Sequence, residues 1–279
     1  MIEIVRNHVS AAQANVVIFD FDGTLSLVRS GWMHVMIPLC VDQLRLTKTK
    51  ETDQELIRIA EDFVWRLTGK ETIYQMMALA EAIRERGSEP LEPLVYKKMY
   101  LDLLHARIRY RLDALREGSA QPDSYLVPGA RGLLEFLTAR GARLYLASGT
   151  DDANVKEEAA LLQVDRYFDG RIFGAQDDLS SFSKALLVKK IVSQSGFQGP
   201  ELLVFGDGYV EIQEVKQVGG IAVGVATAEP ECLRIDEWKR ERLIKVGADF
   251  VIPNFLDLDG LTAALFGAPA LDTIASPPY

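Results

Sequence analysis

Short apolar runs of strand length constrain this chain more than any other feature. They are Val16-Val17-Ile18-Phe19, Ala142-Arg143-Leu144-Tyr145-Leu146-Ala147, Leu202-Leu203-Val204-Phe205, Ile221-Ala222-Val223-Gly224-Val225 and Phe250-Val251-Ile252. Runs this short and this nearly continuous suit strands covered on both faces, as in a parallel sheet. Between them lie helical patterns. Leu133, Leu134 and Leu137 share a face in 131–140, and Val155, Ala159 and Leu162 share one in 152–163. Leu186, Leu187, Ile191 and Val192 do the same in 183–194. Alternating strand and helix with short connections predicts an α/β, doubly wound parallel sheet.

The stretch 27–125 differs. It shows helical periodicity throughout and no strand pattern. Leu56, Ile59, Ala60, Phe63, Val64 and Leu67 form one stripe, and Ile73, Met76, Met77, Ala80 and Ile83 a second that stops near Gly87. Leu94, Tyr96, Met99, Leu103, Ile108, Leu112 and Leu115 form a third. The segment is far longer than a loop, since structureless connections beyond about 15 residues are uncommon. It predicts an all-helical insertion, 27–125, splitting an α/β unit into 1–26 and 126–279. Turn-like Gln121-Pro122-Asp123 and Val127-Pro128-Gly129 mark its return. The tail from Gly267 to Tyr279, with three prolines, reads as coil.

Composition removes several classes of function. The 279 residues suffice for about two domains, and 48% hydrophobic with 25% charged residues is ordinary for a globular chain. A formal net charge of −9 argues against a nucleic-acid or anionic-membrane surface. Two distant cysteines, Cys40 and Cys232, cannot build a disulfide framework, and the three histidines show no ligand spacing. No signal-peptide pattern opens the chain and no apolar run approaches membrane-spanning length, so the expected setting is the reducing cytoplasm.

Chemistry concentrates where the apolar runs end. Val16–Phe19 leads into Asp20-Phe21-Asp22-Gly23-Thr24. Residues two apart on a strand point the same way, so Asp20 and Asp22 aim together beyond the strand's carboxyl end, where open α/β sheets bind ligands. Two adjacent carboxylates call for a cation or a shared proton. Leu146-Ala147 runs into Ser148-Gly149-Thr150, which reads equally as a helix N-cap or as an anion site of hydroxyl and backbone N–H groups. Lys184 opens a helix, where its charge opposes the dipole; it is either a solvated surface lysine or a group reaching an anion. Leu202–Phe205 delivers Gly206-Asp207-Gly208, with Glu211 four residues past Asp207. This is either an Asp-Gly turn or part of a carboxylate set for a hard divalent cation. No phosphate loop, no complete dinucleotide fingerprint and no Ser-His-Asp set is present.

In these residues the chain resembles the haloacid dehalogenase superfamily. Asp20-Phe21-Asp22-Gly23-Thr24 resembles its first motif, Ser148 its second, Lys184 its third, and Gly206-Asp207-Gly208 with Glu211 its fourth. The resemblance spans about 1–26 and 126–265 and implies a Rossmann-like core. The inserted helices resemble the C1-type cap of the phosphoglycolate phosphatase and β-phosphoglucomutase branch. It implies Asp20 as nucleophile, forming an aspartyl-phosphate, and Asp22 as the acid and base. Thr24, Ser148 and Gly149 would surround the phosphoryl group and Lys184 would neutralise it. Mg²⁺ would be held by Asp20, Asp22 (through its carbonyl), Asp207 and Glu211.

Two residues depart from the family pattern: Glu211 stands where an Asp is usual, and Ala185 where many relatives carry Pro. Asp22 favours a phosphatase or a sugar phosphomutase over a dehalogenase, because only an alkoxide leaving group needs the acid. A small phosphorylated metabolite is the implied substrate, such as a sugar phosphate or a phosphoglycolate-like acid. A non-catalytic ligand-binding relative is the reading from a different class. Arg29 is a candidate substrate contact, whereas Trp32, Met33 and Met36 read first as the buried stripe of a helix. The mixed-sign run from Asp236 to Arg242 reads as a solvated helix face.

Overall fold

The computed structural model of the chain describes residues 2–176, 183–197 and 199–267. Among these, seven strands form one sheet: β1 (Glu3–Ile4), β2 (Val16–Phe19), β3 (Arg143–Asp151), β4 (Ile172–Ala175), β5 (Leu202–Gly206), β6 (Ile221–Val225) and β7 (Phe250–Ile252). Their order is β1-β7-β6-β5-β2-β3-β4, parallel throughout except for β1 against β7. The apolar runs are therefore the strands, and the fold is the predicted α/β doubly wound sheet. Strand β2 lies between β5 and β3, with Phe19 opposite both Phe205 and Leu146.

Period-two alternation explains why these runs are continuous. Val17, Phe19, Leu203, Phe205 and Val223 enter the core on one face, and Val16, Ile18, Leu202, Val204 and Ala222 the core on the other. Both faces are covered, so neither set can be polar. Phe19 stacks on Phe205 at 5.0 Å and Phe205 meets Phe255 edge-on at 5.9 Å. Full burial of each such ring is worth about 1.5–3 kcal/mol.

Two strands fall below what a sequence pattern can show: β1 has two residues, and β4 is a four-residue Ile-Phe-Gly-Ala. Strand β3 also outruns its apolar stretch. Ser148, Gly149 and Thr150 remain in it, with a register shift against β4 between Ala147 and Asp151. The following helix begins at Asp152, as its pattern predicts, but its N-cap is Asp151 and neither Ser148 nor Thr150. Backbone pairing with β4 carries the strand on where side-chain pattern no longer signals it.

Four helices fall within the inserted segment that follows β2: α1 (Met33–Arg45), α2 (Asp53–Leu67), α3 (Thr72–Glu85) and α4 (Pro93–Arg116). Helix α2 starts on a reciprocal cap, in which Thr52 N–H donates to Glu55 Oε2 (2.7 Å) and Glu55 N–H to Thr52 Oγ1 (3.4 Å). It buries Leu56, Ala60, Phe63 and Val64. Helix α4 has Pro93 in its first turn, where no backbone donor is missed, and buries Tyr96, Tyr100, Leu104, Ile108, Leu112 and Leu115 along one stripe. Leu94 and Leu103 of the predicted stripe stay exposed, because the buried face follows Tyr96 and Tyr100.

Around the sheet run α5 (Ala130–Ala139), α6 (Asp152–Leu161), α7 (Lys184–Ser195), α8 (Tyr209–Gln217), α9 (Glu237–Lys245) and α10 (Leu258–Phe266). Gly129 leads into α5 at φ +83°, and a Cβ there would overlap the Phe255 backbone, so the return to the sheet needs glycine. Residues 268–279 of the tail lie outside the described residues. Both cysteines are buried and free, and burial pushes the Cys40 thiol up to about 12 and that of Cys232 to about 11. Among the described residues no helix is long and apolar enough to cross a membrane.

Candidate active site

Parallel pairing brings the carboxyl ends of β2, β3 and β5 to one edge of the sheet, and the polar residues following each strand gather there. Asp20 leaves β2 with its N–H on the Phe205 carbonyl (2.9 Å), which locks its backbone to β5. Its Oδ1 accepts from the Phe21 N–H at 2.7 Å. The chain then turns tightly, with Leu25 and Ser26 N–H groups both on the Phe21 carbonyl. Gly23 makes the turn at φ +76°, and a Cβ on it would overlap Asp207 Oδ2. Close approach of the β2 and β5 loops therefore requires glycine at 23.

Asp20, Asp207 and Glu211 each present an oxygen within 4.8 Å of the others. Asp20 and Glu211 are buried. Glu211 lies in the first turn of α8 and folds back, its Oε1 accepting from Gly208 N–H at 2.9 Å. A Cβ on Gly206 would overlap that carboxylate, so glycine here makes room for the longer acid. Three carboxylate oxygens in a buried cluster are hard donors and fit a divalent cation of the Mg²⁺ or Ca²⁺ type.

Asp22 faces the same space from the other side. Its Oδ2 accepts from Thr150 Oγ1 at 2.7 Å and is 3.4 Å from Ser148 Oγ. Ser148 Oγ in turn accepts from Thr150 N–H at 3.0 Å. Thr24 is fully buried and its hydroxyl accepts from Asp207 N–H (2.9 Å), so it braces the β5 loop and does not line the cavity. The expectation that Thr24 contacts substrate does not match this placement. The side chain of Lys184, at the start of α7, lies outside the described residues.

A cavity of about 100 Å³ opens between this edge and the four-helix segment. Asp20, Asp22, Gly149, Thr150 and Asp207 line it from the sheet side, and Arg29, Trp32, Lys70, Gln75 and Tyr100 from the other. Trp32, just ahead of α1, packs against the core as its pattern predicts and also lines the cavity. The loop between α2 and α3 presses closely on the sheet edge. A Cβ on Gly149 would lie 3.2 Å from the Lys70 carbonyl, and one on Gly69 2.9 Å from Gly208 Cα.

Arg29 is buried, and its guanidinium is engaged from behind. Nη2 donates to Glu158 Oε1 at 2.7 Å and Nε to the same oxygen at 3.0 Å, while Nε lies 3.9 Å from Asp22 Oδ1. Burial works against its charge, but Glu158 and Asp22 outweigh this and hold its pKa above the ordinary arginine value. Arg29 thereby lines the cavity, where the candidate substrate contact was expected, with Glu158 and Asp22 already offsetting its charge. A second buried pair, Lys97 Nζ to Asp151 Oδ1 at 2.7 Å, ties α4 to the end of β3.

Helix α9 corrects the reading of its sequence in part. Lys239 is half-buried, its side chain 12% exposed, with Nζ 3.0 Å from Asp207 Oδ2 and 3.2 Å from Glu229 Oε1. Arg242 donates to the Trp65 and Thr68 carbonyls at 2.9 and 3.1 Å, and Trp65 meets Trp238 edge-on at 5.0 Å. The run Asp236–Arg242 is thus two-sided: Glu237 and Glu241 form the expected solvated face, while Trp238, Lys239 and Arg242 make an interface. A signal was available: Asp236 caps the helix, so Lys239 lies in its first turn, against the dipole. A lysine there is mildly misplaced unless it reaches a carboxylate, as Lys239 does.

With this geometry in view, the comparisons with known proteins are specific. The model of the haloacid dehalogenase-like hydrolase family matches residues 14–219. The chain belongs to that family of hydrolases. It is 24% identical over 209 residues to a 5'-nucleotidase of Pseudomonas aeruginosa, covering 75% of this chain and 81% of that one. A structure described as "a predicted phosphatase" from Clostridium acetobutylicum aligns with TM-score 0.59 at 16% identity, over 90% of this chain and 99% of the other. One described as "a predicted phosphoglycolate phosphatase" from Haemophilus somnus aligns with TM-score 0.57 at 16% identity, over 90% and 98%. At such identities the two structures speak for the fold.

Proposed function

We propose that this chain is a Mg²⁺-dependent phosphatase that hydrolyses a small phosphomonoester through an aspartyl-phosphate on Asp20. The observation that carries the reading is the Asp20, Asp207 and Glu211 cluster, closed within 4.8 Å, beside an Asp22 held by Thr150. Asp20, the Asp22 carbonyl, Asp207 and Glu211 would hold the cation, which supplies charge neutralisation at the phosphoryl group.

In the first step an Asp20 oxygen bonds to phosphorus as the bond to the leaving oxygen breaks. Asp22 gives that oxygen its proton. In the second, water attacks the phosphoryl group, Asp22 takes the water's proton, and phosphate leaves with Asp20 restored. Splitting the displacement this way is what a carboxylate nucleophile offers. Thr150 keeps the Asp22 carboxyl aimed along one line for both transfers. The Gly149 N–H at the cavity wall would receive a phosphoryl oxygen, Ser148, fully buried beside it, would brace Asp22 and Thr150, and Lys184 would add a cation.

Residues 27–125 act as a cap on a core of 1–26 and 126–279, closing the cavity through the Gly69–Lys70 loop. The cavity volume of about 100 Å³ is small beside the roughly 300–1,000 Å³ of sites for drug-sized ligands. It suits a leaving group of a few carbons.

Phosphate release from a panel of sugar phosphates, phosphoglycolate and nucleoside monophosphates, with Mg²⁺ and with EDTA, tests this. Release from the small esters, lost with EDTA, is expected. Isomer formation without release would make the chain a phosphomutase, and binding without turnover a non-catalytic relative.

A further inference from the structure

Lys239 brings a positive charge to a place where the chemistry asks for a cation to bind. Its Nζ is 3.0 Å from Asp207 Oδ2 and 3.2 Å from Glu229 Oε1, and only 12% of its side chain is exposed. Glu229 comes from the connection between β6 and α9, so the lysine joins two separate segments. Asp207 Oδ2 is enclosed on a second side by the Gly23 backbone, where no Cβ fits. One oxygen of Asp207 is therefore occupied by an ammonium and packed against a turn, while the carboxylate as a whole belongs to the cluster with Asp20 and Glu211.

An ammonium at hydrogen-bond distance repels a second cation that would share the same oxygen. It also fixes the carboxylate plane, since swinging Asp207 breaks a contact buried away from water. Bidentate capture needs both oxygens to face the ion. Magnesium takes six ligands at about 2.0–2.1 Å and accepts single carboxylate oxygens, whereas calcium takes six to eight at about 2.3–2.6 Å and readily takes both. The two cations differ in the very property that Lys239 constrains.

We infer that Lys239, anchored by Glu229, is a positioning residue that restricts Asp207 to one oxygen and thereby selects a small, octahedral divalent cation over a larger one. The inference rests on the metal-dependent reading above, and it adds a residue outside the resemblance motifs. It also gives the half-buried lysine of α9 a reason beyond holding the fold together.

Calorimetric titration of the metal-free protein with Mg²⁺ and with Ca²⁺ tests it, comparing wild type with Lys239→Met and Lys239→Arg. Lys239→Met is expected to raise Ca²⁺ affinity relative to Mg²⁺ by about tenfold, equivalent to about 1.4 kcal/mol. Lys239→Arg, which keeps the charge, retains most of the wild-type ratio. A purely structural lysine would lower the melting temperature of Lys239→Met and leave the ratio unchanged, which overturns the inference alone. A wild type that binds neither cation overturns the metal reading and the inference together. If Lys239→Met does not fold, Lys239→Gln keeps a donor for both carboxylates without the charge and is read in the same way.

Discussion

Thr150 gives its hydroxyl proton to Asp22 Oδ2 at 2.7 Å, from a strand that carries no sequence signal for it. That bond fixes the carboxyl to which we assign both proton transfers. Hydrogen bonds to charged groups are worth about 1.5–3 kcal/mol, so Thr150→Val is expected to lower kcat by roughly 10- to 100-fold. KM should change little, because Thr150 holds Asp22 and not the cation cluster. Steady-state phosphate release checks this, and an unchanged kcat would remove Thr150 from the account.

Arg29 and Glu158 form a buried pair 129 positions apart in sequence. Removing one partner leaves a buried charge unmatched, at a cost of about 3–5 kcal/mol, whereas replacing both with apolar groups is often close to neutral. Glu158→Met is therefore expected to destabilise the protein strongly and Arg29→Met/Glu158→Met to recover much of the loss. Urea unfolding of the two single variants and the double variant measures the coupling. Additive losses would show that the pair is not a unit.

Arg242 spans the boundary between α9 and the helical segment through the Trp65 and Thr68 carbonyls. Its guanidinium also lies 4.6 Å from the Trp238 ring centre. Arg242→Ala should loosen closure and raise KM several-fold, on the order of 1 kcal/mol for the lost contacts. The tryptophan emission of the Trp65–Trp238 contact should change with it. A variant with wild-type KM and emission would show that closure does not depend on this residue.

Glu3 tethers the edge strand β1 to α9 through Arg240, with a hydrogen bond of 2.6 Å. The Arg240 hydrogen bond holds the Glu3 carboxyl below its ordinary value of 4.5, despite an opposing contribution from burial. A depressed folded-state pKa gives stability that is present above the unfolded value and lost as pH falls through the folded one. Glu3→Gln is thus expected to be less stable than wild type at neutral pH and to converge with it below pH 4.5. Thermal melts at the two pH values give the comparison; a gap independent of pH would contradict the linkage.

The legible part of the fold was the part that repeats with a period. Val16–Phe19 and Leu202–Phe205 are apolar at every position because both faces are covered, and each ends in the acid it delivers to the cluster. The four helices were legible from stripes such as Leu56, Ala60, Phe63 and Val64, punctuated by Gly87 and by Pro93. What escaped were groups whose partners lie far along the chain. Nothing near Arg29 points to Glu158, and nothing near Lys239 points to Asp207, 32 residues away. Ser148 to Thr150 escaped as strand because they span a register shift against β4, itself a four-residue stretch interrupted by glycine.

The central claim is that Asp20 becomes phosphorylated during turnover. Acid-quenched enzyme, taken during steady state with a small phosphomonoester and Mg²⁺, should carry one phosphoryl group on the peptide containing Asp20 by mass spectrometry. It should be absent from Asp20→Asn, which should also release no phosphate. Turnover by Asp20→Asn, or a phosphoryl group found on another residue, would contradict the account.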